Sequence, residues 1–211
     1  MGCCSGKTAV KGPGFVRSHA RVDISEDGLT ATKAGGGKDR VAAMNTEMTE
    51  GKHFVEFNIE AGSNALCGVI RPGFDVEEGN DAHKAEDHCF FHCGGGYRYP
   101  GGAQWSGMQA AAAGDRVGML LDLEAGSMVV YKNDERLAMM AAGLAGPYCW
   151  AVTLYDKGDR VTIKHLPPPK DKKAKKTAED MSEDQAASAI QARVRVRSTK
   201  GNKTDETREA S

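Results

Sequence analysis

The sequence predicts an all-β sandwich of two antiparallel sheets, and three observations predict it. Short apolar runs, alternating or continuous, recur from residue 16 to residue 163 and are separated by Gly, Asp and Asn turn signals. Residues 114–137, GDRVGMLLDLEAGSMVVYKNDERL, read as a complete meander on their own. Glycine is abundant, at 26 of 211 residues, while aromatics make up only 6%, which fits many turns over a modest core. The length suits one domain of about 150 residues with appendages.

In chain order, Val16, Ala20, Val22 and Ile24 alternate with Arg17, His19, Arg21 and Asp23, the period of a half-buried strand. Glu26-Asp27-Gly28 is a turn, and Leu29-Thr30-Ala31-Thr32 reads as a short returning strand. Gly35-Gly36-Gly37 has neither a strand–loop–helix context nor a Gly-Lys-Ser/Thr ending, so it is no phosphate loop. Strands are expected over 40–44, 53–59 and 66–70, followed by an irregular polar loop over 71–87. Residues 89–93, CFFHC, are strand-like, and 94–107 is a glycine-rich loop carrying Tyr97, Tyr99 and Trp105. In the meander, Val117, Met119 and Leu121 share one strand face, 127–131 forms the next strand, and Lys132-Asn133-Asp134-Glu135 turns the chain back. Runs over 148–154 and 160–163 close the set.

These residues carry a family resemblance. Glu50-Gly51-Lys52-His53-Phe54-Val55-Glu56-Phe57, Cys67-Gly68-Val69 and Gly114-Asp115-Arg116-Val117-Gly118 come in that order. Leu121-Asp122-Leu123-Glu124-Ala125-Gly126, Val130-Tyr131-Lys132-Asn133 and Trp150-Ala151-Val152-Thr153-Leu154 follow. The series resembles a SPRY domain, over residues 15–166. It departs from the family pattern at Val55, where tryptophan is usual, and at Asp134, where glycine is usual. Valine suits a strand core and aspartate tolerates a left-handed turn, so the fold is expected to hold. The resemblance implies a bent sandwich, without catalytic activity, that grips protein or peptide partners with loops at one end. The loops at 71–87 and 94–107 are the candidates for that role. Tyr97, Arg98, Tyr99 and Trp105 are of the residue types that dominate binding hot spots, with inter-sheet packing the competing role for Trp105.

His88, Cys89, His92 and Cys93, with His83 nearby, invite a zinc or thiol-catalysis reading. Strand alternation sends His88, Phe90 and His92 to one face and Cys89, Phe91 and Cys93 to the other, so one ion cannot collect all four groups. Buried cysteines acting as small hydrophobes fit better. Neither a metal nor a cofactor is expected.

The two ends carry the remaining functional signals. Residues 1–14 read as a flexible anchor segment, and Gly2 of the start MGCCSGK is a myristoylation acceptor. Gly6 stands where Ser or Thr is usual, with Ser5 one place early. One myristoyl chain binds membrane with an association constant of only about 10⁴ M⁻¹, and Cys3 and Cys4 supply palmitoylation sites as the second signal. Residues 167–181 form a Pro/Lys-rich linker, with Pro167-Pro168-Pro169 ahead of five lysines that attract an anionic membrane surface. Residues 182–200 are expected to form one helix, capped by Ser182 with Gln185 three residues on. Its core resembles an IQ motif, which implies binding of calmodulin or another EF-hand protein. Ile190 and Gln191 hold the naming positions, Val194 pairs with Ile190, and Arg195 and Lys200 hold basic positions. Val196 replaces the usual glycine, and Val-Arg-Val-Arg also has the alternation of an extended segment. Residues 201–211 are polar and expected to be disordered.

A formal net charge of −1 gives no reason to expect a nucleic-acid partner. No apolar run approaches the roughly 20 residues of a membrane span or forms a secretory signal, and six cysteines then point to free thiols in the cytosol. The expectation is a cytoplasmic adaptor held peripherally at the inner membrane face. The alternative is a substrate-recognition subunit of a ubiquitin ligase, although no RING-type array or cullin-box-like helix is visible.

Overall fold

The structure, a computed structural model, describes residues 14–38, 40–77, 82–85, 87–99, 103–104 and 108–169. The proposed anchor and the tail beyond Pro169 lie outside these residues. Among the described residues, fourteen strands form two seven-stranded antiparallel sheets. The first runs in the order β1 (Arg17–Ser18), β4 (Arg40–Ala43), β13 (Cys149–Leu154), β6 (Leu66–Ile70), β7 (Cys89–His92), β8 (Tyr97–Tyr99), β9 (Ala103–Gln104). The second runs β12 (Glu135–Ala142), β11 (Ser127–Lys132), β10 (Arg116–Asp122), β5 (Lys52–Ala61), β14 (Arg160–His165), β3 (Thr30–Lys33), β2 (Val22–Ile24). Among the described residues the only helical element is a 3-10 turn, Ala82–Lys84, and no helix is long and apolar enough to cross a membrane. The sandwich expected from the sequence is what the chain forms.

The continuous strand expected over 16–24 is in fact two, and they belong to different sheets. Val22 N–H donates back to the His19 carbonyl at 2.9 Å and Arg21 N–H to His19 Nδ1 at 2.9 Å. That turn lets the chain leave the first sheet and enter the second, and it leaves Val16 and Ala20, expected on the half-buried face, exposed. The glycine-rich stretch likewise holds two short strands, β8 and β9, rather than a bare loop.

The main core lies between the sheets. Val55, Phe57 and Ile59 of β5, Val117, Met119 and Leu121 of β10, and Val161 and Ile163 of β14 face Cys67, Val69, Phe91, Trp150, Val152 and Leu154. Phe57 and Trp150 meet edge to face at 6.1 Å. Each such aliphatic or aromatic side chain contributes about 1.5–3 kcal/mol on burial. Around the meander, a polar clasp sets the register. Asn133 Nδ2 donates to Asp115 Oδ1 at 2.8 Å, and Asn133 Oδ1 accepts from Arg116 N–H at 2.9 Å. Ala112 N–H, Asn133 and Lys132 together hold the Asp115 carboxyl below its usual range. Asn133 and Asp134 both have positive φ, 50° and 71°, the two left-handed residues of a hairpin turn that matches strand twist. Aspartate therefore does occupy the left-handed position in place of glycine.

A second core was not visible in the sequence. Val41, Ala43, Leu66, Ile70, Phe90, Cys149 and Ala151 form the outer face of the first sheet. Val76 and Ala82, with Phe74 packed against them, cover that face from the loop 71–87. Arg71 Nη1 donates to the Ala145 and Pro147 carbonyls at 2.6 and 3.0 Å, and its guanidinium lies 4.2 Å from the Tyr148 ring centroid. Arg17 Nη1 donates to the Phe74 carbonyl at 2.8 Å. The loop expected to be polar and irregular is thus a fitted cover.

Close approach decides one position in this packing. A Cβ on Gly68 would meet the Cys89 carbonyl oxygen at 2.0 Å and Phe90 Cα at 2.8 Å, both backbone atoms of the neighbouring strand. Gly68→Ala is expected to lose about 2–4 kcal/mol in urea melts. Gly36→Ala, where an added Cβ meets nothing within 4 Å, should stay within about 0.5 kcal/mol. Equal melts for the two variants would contradict the packing described.

Candidate binding cleft

The outer face of the first sheet is not covered along its whole length. Pairing places Leu66, His92 and Tyr97 side by side across β6, β7 and β8, with Phe90 and Tyr99 in the adjacent row. Beyond the Ala82–Lys84 turn a cleft of about 230 Å³ opens, lined by Asn64, Leu66, His83, His92, Tyr99 and Tyr155. His92 stacks on Tyr97 at 5.8 Å with the rings 14° apart. Tyr99 meets His83 at 4.8 Å and His92 at 6.3 Å, nearly perpendicular to both. The result is a box of aromatic walls over an aliphatic floor.

Each wall is held from behind. Behind His92, the Tyr97 ring lies directly over Gly95, where an added Cβ would meet Tyr97 Cε2 at 2.3 Å. Asn64 Nδ2 donates to Asp156 Oδ2 at 2.6 Å. Tyr155, 42% exposed, sits on a turn whose Tyr155 and Asp156 N–H groups donate to Asp159 Oδ2 at 3.1 and 2.8 Å. Burial nevertheless pushes the Asp159 carboxyl above its usual range. His88 anchors the cover near the cleft: its Nδ1–H donates to the Ala82 carbonyl at 2.7 Å and its ring packs on Phe74 at 4.9 Å.

Of the residues expected to meet a partner, Tyr97 and Tyr99 stand together on the outer face. Arg98 alternates to the opposite side and its Nη1 donates to the Met140 carbonyl of the second sheet at 3.1 Å. Trp105 lies outside the described residues, as do Gly2, Cys3, Cys4, Ile190, Gln191, Val194, Arg195 and Lys200. Asn64 and Tyr155 carry no sequence signal for this site, and His83 was visible only as a neighbour of the His/Cys run. All three arrive from loops distant in the chain.

The thiols are differently placed. Cys89 and Cys93 face the main core while His92 faces the cleft, the split that alternation requires. Cys67 and Cys93 Sγ lie 3.9 Å apart, and burial raises the thiol pKa of Cys67, Cys89 (to about 12) and Cys149. These three are held protonated, which removes the nucleophilic form. Among the described residues, no group of three or more His, Cys, Asp or Glu is placed to hold a metal ion.

Burial lowers the His88 pKa from 6.5, against smaller opposing effects of the Ala82 hydrogen bond and Asp87. Well above pH 6.5 the ring is neutral whether the chain is folded or not, so it adds no pH dependence there. As pH falls below 6.5 the unfolded chain takes up the proton first, and stability is lost until the folded pKa is passed. Melting temperature measured from pH 7.5 to 5.5 should fall further for the native chain than for His88→Gln. Parallel profiles would show that His88 does not contribute.

No family model and no curated protein sequence matches the chain. Among solved structures it is similar to the SPRY domain of human HERC1, at a TM-score of 0.60 and 22% identity. That match covers 70% of this chain and 94% of the other. A second human SPRY domain matches at a TM-score of 0.55 and 17% identity, covering 71% and 98%. At such identity the likeness speaks for fold. The described residues have the fold of a SPRY domain.

Proposed function

We propose that the chain is a non-enzymatic adaptor whose sandwich takes a protein or peptide ligand in the cleft on the outer face of the first sheet. The observation that carries this reading is the aromatic box itself, Tyr99 and Tyr155 with His83 and His92, the latter backed by Tyr97, beside the Asn64 amide. Tyrosines supply large contact area at low entropic cost, and an asparagine supplies hydrogen bonds to an extended backbone. The SPRY-type fold supports it, as does the protonated state of the buried thiols. The proposal extends to the ends of the chain: Gly2 with Cys3 and Cys4 as a lipid anchor, the lysines of 170–176 on an anionic membrane surface, and calmodulin or another EF-hand protein on Ile190, Gln191, Val194, Arg195 and Lys200. Such a chain holds its ligand at the cytoplasmic face of a membrane.

Panning a random-peptide library on the full chain tests the cleft. Tyr99→Ala is expected to weaken the selected peptides by about tenfold or more, because truncating a central aromatic removes over 1 kcal/mol. Undiminished binding by that variant would remove the cleft from the proposal. The ends are tested separately. Gly2→Ala should abolish incorporation of a myristate analogue and membrane partition, and Ile190→Asp should weaken binding to immobilised calmodulin by about tenfold. Unchanged partition sinks the anchor, and unchanged calmodulin binding sinks the tail site.

A further inference from the structure

The outer face of the second sheet, otherwise polar, carries one apolar stripe. Strand pairing sets Phe54, Leu120, Val129 and Met139 in one row across β5, β10, β11 and β12, on the side opposite the core. Phe54 and Tyr131 meet edge to face at 5.7 Å over Gly118, where an added Cβ would come within 2.9 Å of Phe54 Cζ. Phe54, Leu120 and Met139 stay part-exposed. The first sheet has a fitted loop over its corresponding face. Here a groove of about 260 Å³ lies at the Phe54 end of the stripe, with Leu166, Pro167 and Pro169 among its walls. The Arg116 guanidinium spans Glu56 at 3.1 Å and Asp134 at the rim, so apolar contact, not net charge, decides what settles there.

The course of the chain identifies the occupant. Pro169 is both a wall of the groove and the last described residue, so residues 170–211 leave the sandwich at this face. Within 170–211 the only branched aliphatic residues are Ile190, Val194 and Val196, set among Ala186, Ala187, Ala189 and Ala192. Lysines precede that cluster and polar residues follow it. A linker of roughly 16 residues, from 170 to 185, has a root-mean-square reach of about 22 Å. The row from Phe54 to Met139 spans three strand spacings, about 14 Å. The tether therefore reaches every part of the stripe and holds the segment at an effective concentration on the order of millimolar, enough for a weak contact to be occupied.

We propose that residues 186–196 fold back onto the outer face of the second sheet, with the i, i+4 pair Ile190 and Val194 on the Phe54–Leu120–Val129–Met139 stripe. The segment serves there as the cover that this sheet otherwise lacks. A partner that takes Ile190 and Val194 must first lift them from the stripe, so the two states exclude one another. The inference rests on the groove and on the exit of the chain; it does not depend on the partner being an EF-hand protein.

The test uses the full chain labelled at Leu, Val, Ile and Met methyls, compared with Ile190→Asp/Val194→Asp in the same full chain. The methyl resonances of Leu120, Val129 and Met139 are expected to shift between the two, while those of Leu66 and Ile70 on the first sheet stay in place. Leu120→Lys should in turn shift the Ile190 and Val194 methyls, and the tail variant alone suffices where Leu120→Lys fails to fold. Unmoved stripe methyls overturn the proposal. So do stripe shifts that appear only on raising protein concentration, which would assign the face to a second copy, or only on adding anionic vesicles, which would assign it to a membrane.

Discussion

The first sheet is apolar on both faces, and much of the remaining structure follows from that. Every residue of β6 and of β13 is buried, so neither strand shows the in–out polarity of an ordinary surface sheet. A sheet of this kind needs material on its outer side, and the loop 71–87 supplies it with Phe74, Val76 and Ala82. Arg71 then fastens the loop by bonding two carbonyls of the 145–147 turn, pairing with Asp87 at 3.3 Å and lying over Tyr148. Those partners are distant in sequence, which makes the cover part of the tertiary structure and not a local excursion.

The cleft is where this cover ends. Its floor, Leu66, belongs to the same apolar face as Ile70 and Phe90, and its walls are the tyrosines and histidines at the margin. A ligand placed there extends the packing that the loop begins. Aromatic rings at a boundary between core and water suit this position, since each offers an apolar body with a polar edge. The cysteines of the neighbouring strand take no part, because alternation turns them into the opposite core.

Legibility followed the range of the interactions. The meander over 114–137 was readable because its strands pair with their sequence neighbours and Asp115 and Asn133 clasp each other across one hairpin. The division of 16–24 between two sheets was hidden, since the apolar residues alternate in sequence straight through the tight turn at 19–22, which has no Gly, Pro, Asn or Asp of its own before Asp23. The apolar residues of 71–87 are too few and irregular to show a period, and their role appears only once β6, β7 and β13 lie beneath them. Tyr97 and Tyr99 could be picked by residue type, but Arg98 was grouped with them because 94–107 read as a loop, and only the strand β8 turns it to the opposite side. Asn64, His83 and Tyr155 come from three loops with no local sign of convergence.

Arg98 has one more effect. It reaches from the first sheet to the Met140 carbonyl on β12, the outermost strand of the second. Residues 137–142, Leu-Ala-Met-Met-Ala-Ala, carry no charge and no proline to discourage another strand from adding alongside. Two register shifts against β11 twist this strand away from a flat template. With the guanidinium occupying one of its carbonyls as well, an arginine that faces away from the cleft makes this rim a poorer template for an added strand.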